Sequence, residues 1–327
     1  MAVPVGIAGV GHYVPERVVD NEHFAQYLDT SDEWIRQRSG IRQRRWLADD
    51  QTTSDMFIAA GRQALERAEV APEDVDLIVC GTISGDYAFP ATACIVQEAL
   101  GCTKAAGFDV SAACPGFLFA LSTGAQFVGS GMYRNVLVIG GEALSRIIDM
   151  QDRTSCVLFG DGGGAALLQP HAECGTGLIE DLMLGTDGSG ADLIIRRAGQ
   201  AKHPMTPELL EAKEHCIRMK GREVYRFAVE KMSAIMDWAM EGQNPAELGY
   251  VVPHQVNARI LETATERLGI PPEKVLVNID RYGNTSAASI PILLSELWAE
   301  GKLQPGKFLV LAAFGAGLTW AGARVRW

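Results

Sequence analysis

The sequence predicts an α/β fold built from two similar halves. Three observations lead there. Apolar strand candidates alternate with helical segments, and the run strand, strand, helix, strand occurs twice in similar order. The chain has 327 residues, 47% of them hydrophobic, which is enough for one large domain or two of ordinary size. In each half, residues with chemistry to offer stand just past a strand end: Cys114 in one, His254 and Asn284 in the other. Identity between the copies is weak, and ordinary α/β alternation also repeats, so pattern alone leaves both readings open. A duplicated fold divides the chain into residues 1–172 and 173–327. Its active residues then gather where strand ends of the two halves meet, as ligands do in α/β sheets.

The elements follow in order. MAVPVGIAGVGHYVPE reads as a first strand and loop; it lacks the basic start of a signal peptide, and Gly and Pro interrupt it. TSDE (30–33) reads as a capping box opening a helix, with Thr30 as cap and Glu33 as its partner. DVDLIVCG (74–81) and GFDV (107–110) are buried strand candidates, followed by a helix over 117–128 and a strand in NVLVIGGEA (135–143). GDGGGAA (160–166) resembles a phosphate loop but lacks the GK[ST] ending, and reads as a tight turn between strands. In the second half, LGYVVPHQ (248–255) and KVLVNID (274–280) are strand candidates. A helix carrying Ala287, Ile290, Leu294, Leu297 and Trp298 follows, then a strand in KFLVLAAFGAG (307–317).

Charge and cysteine usage exclude several classes. The net charge of −11 disfavours general nucleic-acid binding, so a local basic run such as RQRSGIRQRR (36–45), with five arginines, is informative. No apolar run reaches the roughly 18 residues of a membrane helix. Seven cysteines, an odd number without a CxxC pair, argue against a disulfide framework and a structural zinc site, and predict reduced thiols in a cytoplasmic protein. No metal site is expected.

DVSAACPGF (109–117) places one of those thiols in a strand-to-helix turn. A thiol at a helix N-terminus sees the positive end of the dipole, which favours the thiolate. Pro115 suits the first helical position. It also excludes the hydrolase elbow, in which the residue after the nucleophile donates its N–H to the oxyanion. A lone cysteine in such a turn is more often a packing residue than a nucleophile. His254 after a strand and Asn284 in a Gly/Ser-rich turn shift that balance, because all three occupy equivalent places among small residues.

Together these motifs make the chain resemble β-ketoacyl-acyl-carrier-protein synthase III, a condensing-enzyme family of the thiolase-fold superfamily. The resemblance runs through DTSDEWIRQRSGI (29–41), YAFPATAC (87–94), DVSAACPGF, DRTSCVLFGDGGGAALL (152–168), VVPHQVNARI (251–260), DRYGNTSAAS (280–289) and AAFGAGLTW (312–320). It implies a thiolase-like, duplicated five-layer α/β/α/β/α fold in a homodimer. It implies Cys114 as the acylated nucleophile, with His254 and Asn284 stabilising the oxyanion formed when malonyl-acyl-carrier-protein decarboxylates. The backbone N–H groups of Cys114 and Ala316 would form a second oxyanion hole. Trp34, Arg38, Arg153, Gly221 and Arg222 would hold coenzyme A, which enters as the acyl-CoA substrate rather than as a cofactor. Arg259, extended by Arg226 and Arg267, would dock the acidic carrier protein, and Phe89, Leu158, Ile83 and Phe314 would bound the acyl pocket. Without the resemblance, the segment around Trp34 reads as a solvated, salt-bridged helix end.

Two positions depart from the family pattern. Glu266 stands where lysine is common and Arg222 where asparagine is common, which puts carrier choice and tunnel shape in question. Among rivals of the same fold, a thiolase needs a second cysteine that FGAG lacks. Enzymes using a glutamate base need one near GTISGDYAFP, which contains none. A relative from specialised metabolism, condensing a polyketide or quinolone starter or transferring an acyl group, is the alternative; a non-catalytic acyl-binding protein is the reading from another class.

Overall fold

The structure, a computed structural model, describes residues 3–267 and 269–327, apart from the side chains of residues 264 and 267. The first sheet holds Val5–Tyr13 (β1), Leu77–Gly81 (β2), Ala106–Val110 (β3), Val136–Glu142 (β4) and Gly162–Pro170 (β5), in the order β1-β5-β4-β2-β3. The second holds Leu178–Thr186 (β6), Leu248–Pro253 (β7), Phe308–Gly315 (β8) and Thr319–Arg326 (β9), in the order β6-β9-β8-β7. In the first sheet β2 runs parallel to β3 and β4, while β5 is antiparallel to β4 and β1. In the second, β7 runs parallel to β8, while β9 is antiparallel to β8 and β6. The directions match strand for strand, so the fold is a duplication.

The expected strand over 274–280 is absent. It is reduced to one parallel bridge, Val251 with Val275, in the place that β3 takes in the first sheet. The physical reason lies in where the backbone donors go. Val275 N–H bonds back to Pro272 in a 3-10 turn, and the Asn278 and Ile279 N–H groups bond the Gln255 side chain at 3.0 and 3.1 Å.

Helices complete five layers. Thr53–Ala68 and Thr92–Leu100 (α2 and α3, after the short α1, Asp32–Ser39) cover the outer face of the first sheet through Met56, Phe57, Leu65 and Val96. Gly116–Gly129 (α4) precedes Gly221–Met240 (α5) and Ala258–Arg267 (α6), which cover the outer face of the second sheet through Met232, Ile235, Met236 and Leu261. Between the sheets lie α4 and Ser289–Ala299 (α7), whose Phe117, Leu121, Ile290 and Leu294 pack with Val79 and Val138 on one side and Leu311 and Ala323 on the other. Neither central helix carries a charge in its first turn, and α4 has none at all, as a helix buried all round requires.

Three local expectations shift. Ser31, not Thr30, caps α1 by accepting from Trp34 N at 3.1 Å; Glu33 instead accepts from the Gln37 side chain. The glycines of GDGGGAA are not a turn. Gly162, Gly163 and Gly164 lie inside β5, where a Cβ on Gly164 would sit 2.6 Å from Pro291 of α7. Pro115 caps α4 from just outside it, its carbonyl accepting from Phe119 N at 3.0 Å. Among the described residues no helix is long and apolar enough to cross a membrane.

Candidate active site

Four segments converge between the halves. The turn into α4 brings Cys114, the end of β7 brings His254, the lead-in to α7 brings Asn284 and Ser286, and the end of β8 brings Phe314, Gly315 and Ala316. All of these line one cavity of about 60 Å³. Gly315 is required for this convergence. A Cβ there would lie 2.9 Å from both the backbone nitrogen and Cβ of Cys114. Three non-glycine residues of the cavity wall, Ala113, Ser286 and Leu318, adopt positive φ of 50°, 51° and 47°. Each costs on the order of 1–3 kcal/mol, a strain that clusters where a site over-determines the backbone.

Cys114 keeps some accessible surface, but the groups around its sulfur exclude water. That desolvation pushes its thiol up to about 11, with Ser286 as the main opposing influence and Glu142 adding to the rise. The expected lowering by the helix dipole is therefore overridden. The Ser286 hydroxyl is itself buried and has no hydrogen-bond partner at ordinary distance.

His254 is completely buried. Its backbone N–H donates to the Ala312 carbonyl at 2.7 Å, which ties its main chain to β8. Its Nδ1 lies 2.9 Å from Ser289 Oγ, and its Nε2 is buried without a partner. Burial lowers its pKa to about 3, so the ring is neutral at physiological pH. Asn284 is clipped at both ends. Its N–H donates to Leu158 at 2.8 Å and its carbonyl accepts from Gly160 at 3.0 Å. Its Oδ1 accepts from Ser286 N at 2.9 Å, which sets the amide orientation and leaves Nδ2 as the free donor.

The remaining candidates sort by position. The Cys114 N–H, outside any helix or strand, donates to no other backbone group among the described residues, and Ala316 follows the end of β8 beside it. Ile83 and Phe314 line the cavity; Leu158 does not, and its neighbour Phe159 takes the place, with Leu144 and Ile217. Strand alternation explains the one-residue shift, because the Phe159–Asn284 bridge turns Phe159 inward. Phe89 is 86% exposed and lies outside its own chain's cavity.

Two guanidinium groups lie near the Trp34 ring, Arg38 at 4.6 Å and Arg153 at 5.4 Å from its centre, and Arg153 is tied to Asp29 at 2.9 Å. Gly221 and Arg222 are exposed at the start of α5. The arginine run does not act as one cluster. Arg44 is fully buried on Phe24, bonding Asn21 and the carbonyls of Val19 and Val157, so it cannot meet a phosphate. Arg226 and Arg259 are exposed on the neighbouring helices α5 and α6 and form no ion pair among the described residues; the Arg267 side chain lies outside that description.

Sequence reasoning missed Ser286 and Ser289, visible only as small residues of GNTSAAS, and Glu142. GTISGDYAFP contains no glutamate, yet the fully buried Glu142 reaches it through space. It accepts from Thr82 Oγ1 at 2.9 Å, from Ser84 Oγ and from Ile83 N at 3.1 Å, and burial pushes its carboxyl up to about 7. It lies behind Ile83 rather than on the cavity wall.

Family models described as 3-oxoacyl-acyl-carrier-protein synthase III and its C-terminal part match residues 108–188 and 239–327. A β-ketoacyl-acyl-carrier-protein synthase III of Desulfitobacterium hafniense is 48% identical over 99% of this chain and 98% of its own. The crystal structure of the 3-oxoacyl-acyl-carrier-protein synthase III of Aquifex aeolicus superposes with a TM-score of 0.89 at 41% identity, over 99% of this chain and 100% of the other. The priming β-ketosynthase of the R1128 polyketide pathway superposes equally well, at 0.89 and 36% identity, over 98% and 96% of the two chains.

Proposed function

This chain belongs to the β-ketoacyl-acyl-carrier-protein synthase III family, and from that membership and the cavity we propose how it performs the initiating condensation of fatty-acid synthesis. The enzyme joins an acyl-CoA primer to malonyl-acyl-carrier-protein, releasing CoA and CO2 and leaving 3-oxoacyl-acyl-carrier-protein. The observation that carries the reading is the convergence of a thiol, a neutral imidazole and an oriented carboxamide on one cavity.

The chemistry divides into two stages. In the first, Cys114 attacks the acyl-CoA thioester. The oxyanion lies against the N–H groups of Cys114 and Ala316, CoA leaves as its thiol, and an acyl thioester remains on Cys114. Because the donors are backbone groups, an alanine at position 316 serves as well as glycine. In the second, the malonyl carboxylate leaves as CO2, and its electron pair forms an enolate whose oxygen accepts from His254 Nε2–H and Asn284 Nδ2. The enolate carbon attacks the acyl carbonyl, the C–S bond breaks, and Cys114 leaves as its thiolate, which takes a proton from solvent to return the resting thiol. A buried neutral ring suits this work, since donation to the oxyanion requires no proton transfer. Trp34, Arg38, Arg153, Gly221 and Arg222 hold the CoA end of the primer, and Arg226, Arg259 and Arg267 receive the carrier. The functional unit is a homodimer acting in the cytoplasm, without a resident cofactor.

A second reading keeps the chemistry and changes the pathway. The likeness to a polyketide-priming ketosynthase at 36% identity favours it, as do Arg222 and Glu266. Supplying acetyl-CoA and malonyl groups on the carrier of primary metabolism tests both. Rapid formation of 3-oxobutyryl carrier and CO2 supports the fatty-acid role. Turnover only with another carrier or a longer primer supports the second.

A further inference from the structure

We propose that Ser289 is a positioning residue that fixes His254 in its Nε2–H tautomer, so that the ring presents a donor rather than a lone pair to the cavity. This rests on the reading that His254 faces the thioester oxygen, and it names the group on which that reading depends. A neutral imidazole carries one proton on one of two nitrogens, and the partner of one nitrogen decides the state of the other. Only one side-chain partner is present among the described residues: Ser289 Oγ, 2.9 Å from Nδ1.

The Ser289 hydroxyl has one proton and two places to put it. The Ser286 carbonyl lies 2.8 Å away and His254 Nδ1 2.9 Å away. If the proton goes to Ser286, Nδ1–H must donate to Ser289, and Nε2 becomes a bare lone pair aimed into the cavity. If it goes to Nδ1, Nε2 carries the ring proton. The backbone leaves the hydroxyl free to turn. The Ser289 N–H also donates to the Ser286 carbonyl, so that oxygen keeps a partner when the hydroxyl donates to Nδ1 instead. Nδ1 has no other donor to turn to.

The cavity side points the same way. Nε2 is buried without any protein partner, and the other side-chain donor oriented by its surroundings is Asn284 Nδ2. Two donors converging on one empty position form a receptor for an anionic oxygen; a donor and a lone pair do not. Ser289 is 1% exposed at the first residue of α7, so its own rotamer is held by packing.

The first test uses the unmodified protein, labelled with 15N-histidine, at neutral pH. A His254→Ala sample identifies the His254 signals among those of the six histidines. A proton on Nε2 is expected, and a proton on Nδ1 overturns the proposal. The second test is Ser289→Ala beside Ser289→Thr, which keeps the hydroxyl. For alanine we expect a mixed tautomer and a fall in kcat for malonyl decarboxylation of about 10- to 100-fold, the range seen when the groups orienting metal-bound histidines are removed. The KM for malonyl carrier and the rate of Cys114 acylation should stay unchanged, and threonine should recover part of the loss. Wild-type decarboxylation with an unchanged ring spectrum in Ser289→Ala overturns the proposal even if the unmodified protein shows Nε2–H. A changed tautomer with wild-type decarboxylation refutes instead the reading of His254 as an oxyanion donor.

Discussion

A protonated thiol in a dry pocket is a poor nucleophile, and at the residue scale this is the difficulty that Cys114 poses. A helix N-terminus contributes up to about 2 kcal/mol in favour of an anion, under two pKa units, whereas full burial costs about three to five units. Desolvation wins, and the thiol stands at about 11. Alkylation by iodoacetamide should therefore be slow at pH 7 and rise about tenfold per pH unit through the neutral range. A rate that levels off below pH 7 would show a thiolate already formed. In the proposed mechanism His254 and Asn284 act later. Replacing either by alanine should leave acylation of Cys114 intact and slow decarboxylation about 100- to 1000-fold, measured as CO2 release from malonyl carrier. With its pKa at about 3, His254 should contribute no ionisation between pH 5 and 8 to the decarboxylation profile.

At the scale of elements, the ends of β8, β4 and the lead-in to α7 do the positioning. Gly315→Ala should place a methyl against Cys114, cost about 1–3 kcal/mol by overpacking, and abolish the acyl adduct seen by mass spectrometry. At the end of β4, Glu142 keeps its proton to about pH 7 in the folded chain, whereas an exposed glutamate of the unfolded chain gives it up at its ordinary 4.5. The folded state thus binds more protons between those values, and the stability this group provides below pH 4.5 is lost as pH rises through 7. Glu142→Gln should flatten the fall in melting temperature across that window; an unchanged slope would assign it to other groups.

Much of this scale was legible in the sequence. Predominantly apolar helices and strands announced themselves within 74–81, 117–128, 135–143 and 307–317, because burial on both sides leaves a nearly continuous apolar run. The segment 274–280 was misread for the same reason: it is apolar, but a neighbouring side chain takes its backbone donors. Capping by Ser31 rather than Thr30, and the inward turn of Phe159 rather than Leu158, are one-residue choices made by tertiary contacts. Ser289 and Glu142 were invisible because their importance lies wholly in what stands beside them in space.

At the scale of the whole molecule, duplication creates the site. Neither half holds thiol, imidazole and carboxamide together; the two sheets do so only by sharing the layer of α4 and α7. A cavity cut in that layer should be felt by both halves. Leu294→Ala, at a fully buried position, should cost about 2–5 kcal/mol in a single unfolding transition, and two separated transitions would show halves that fold independently. The surface adds a second whole-molecule property. On a chain of net charge −11, the exposed Arg226 and Arg259 are local positive charge, which the proposed docking assigns to an acidic carrier. Arg259→Glu should raise the KM for malonyl carrier and leave acylation by acyl-CoA unchanged.

The most direct measurement is the intact mass of the protein after incubation with a series of acyl-CoAs, with Cys114→Ala beside it, before and after malonyl carrier is added. The predicted result is an adduct of acyl mass on the unsubstituted chain alone, at its highest with the primer that fits the cavity, and its discharge as 3-oxoacyl carrier appears. An adduct that persists on Cys114→Ala, or an adduct-free chain that still condenses the two substrates, would contradict catalysis through Cys114.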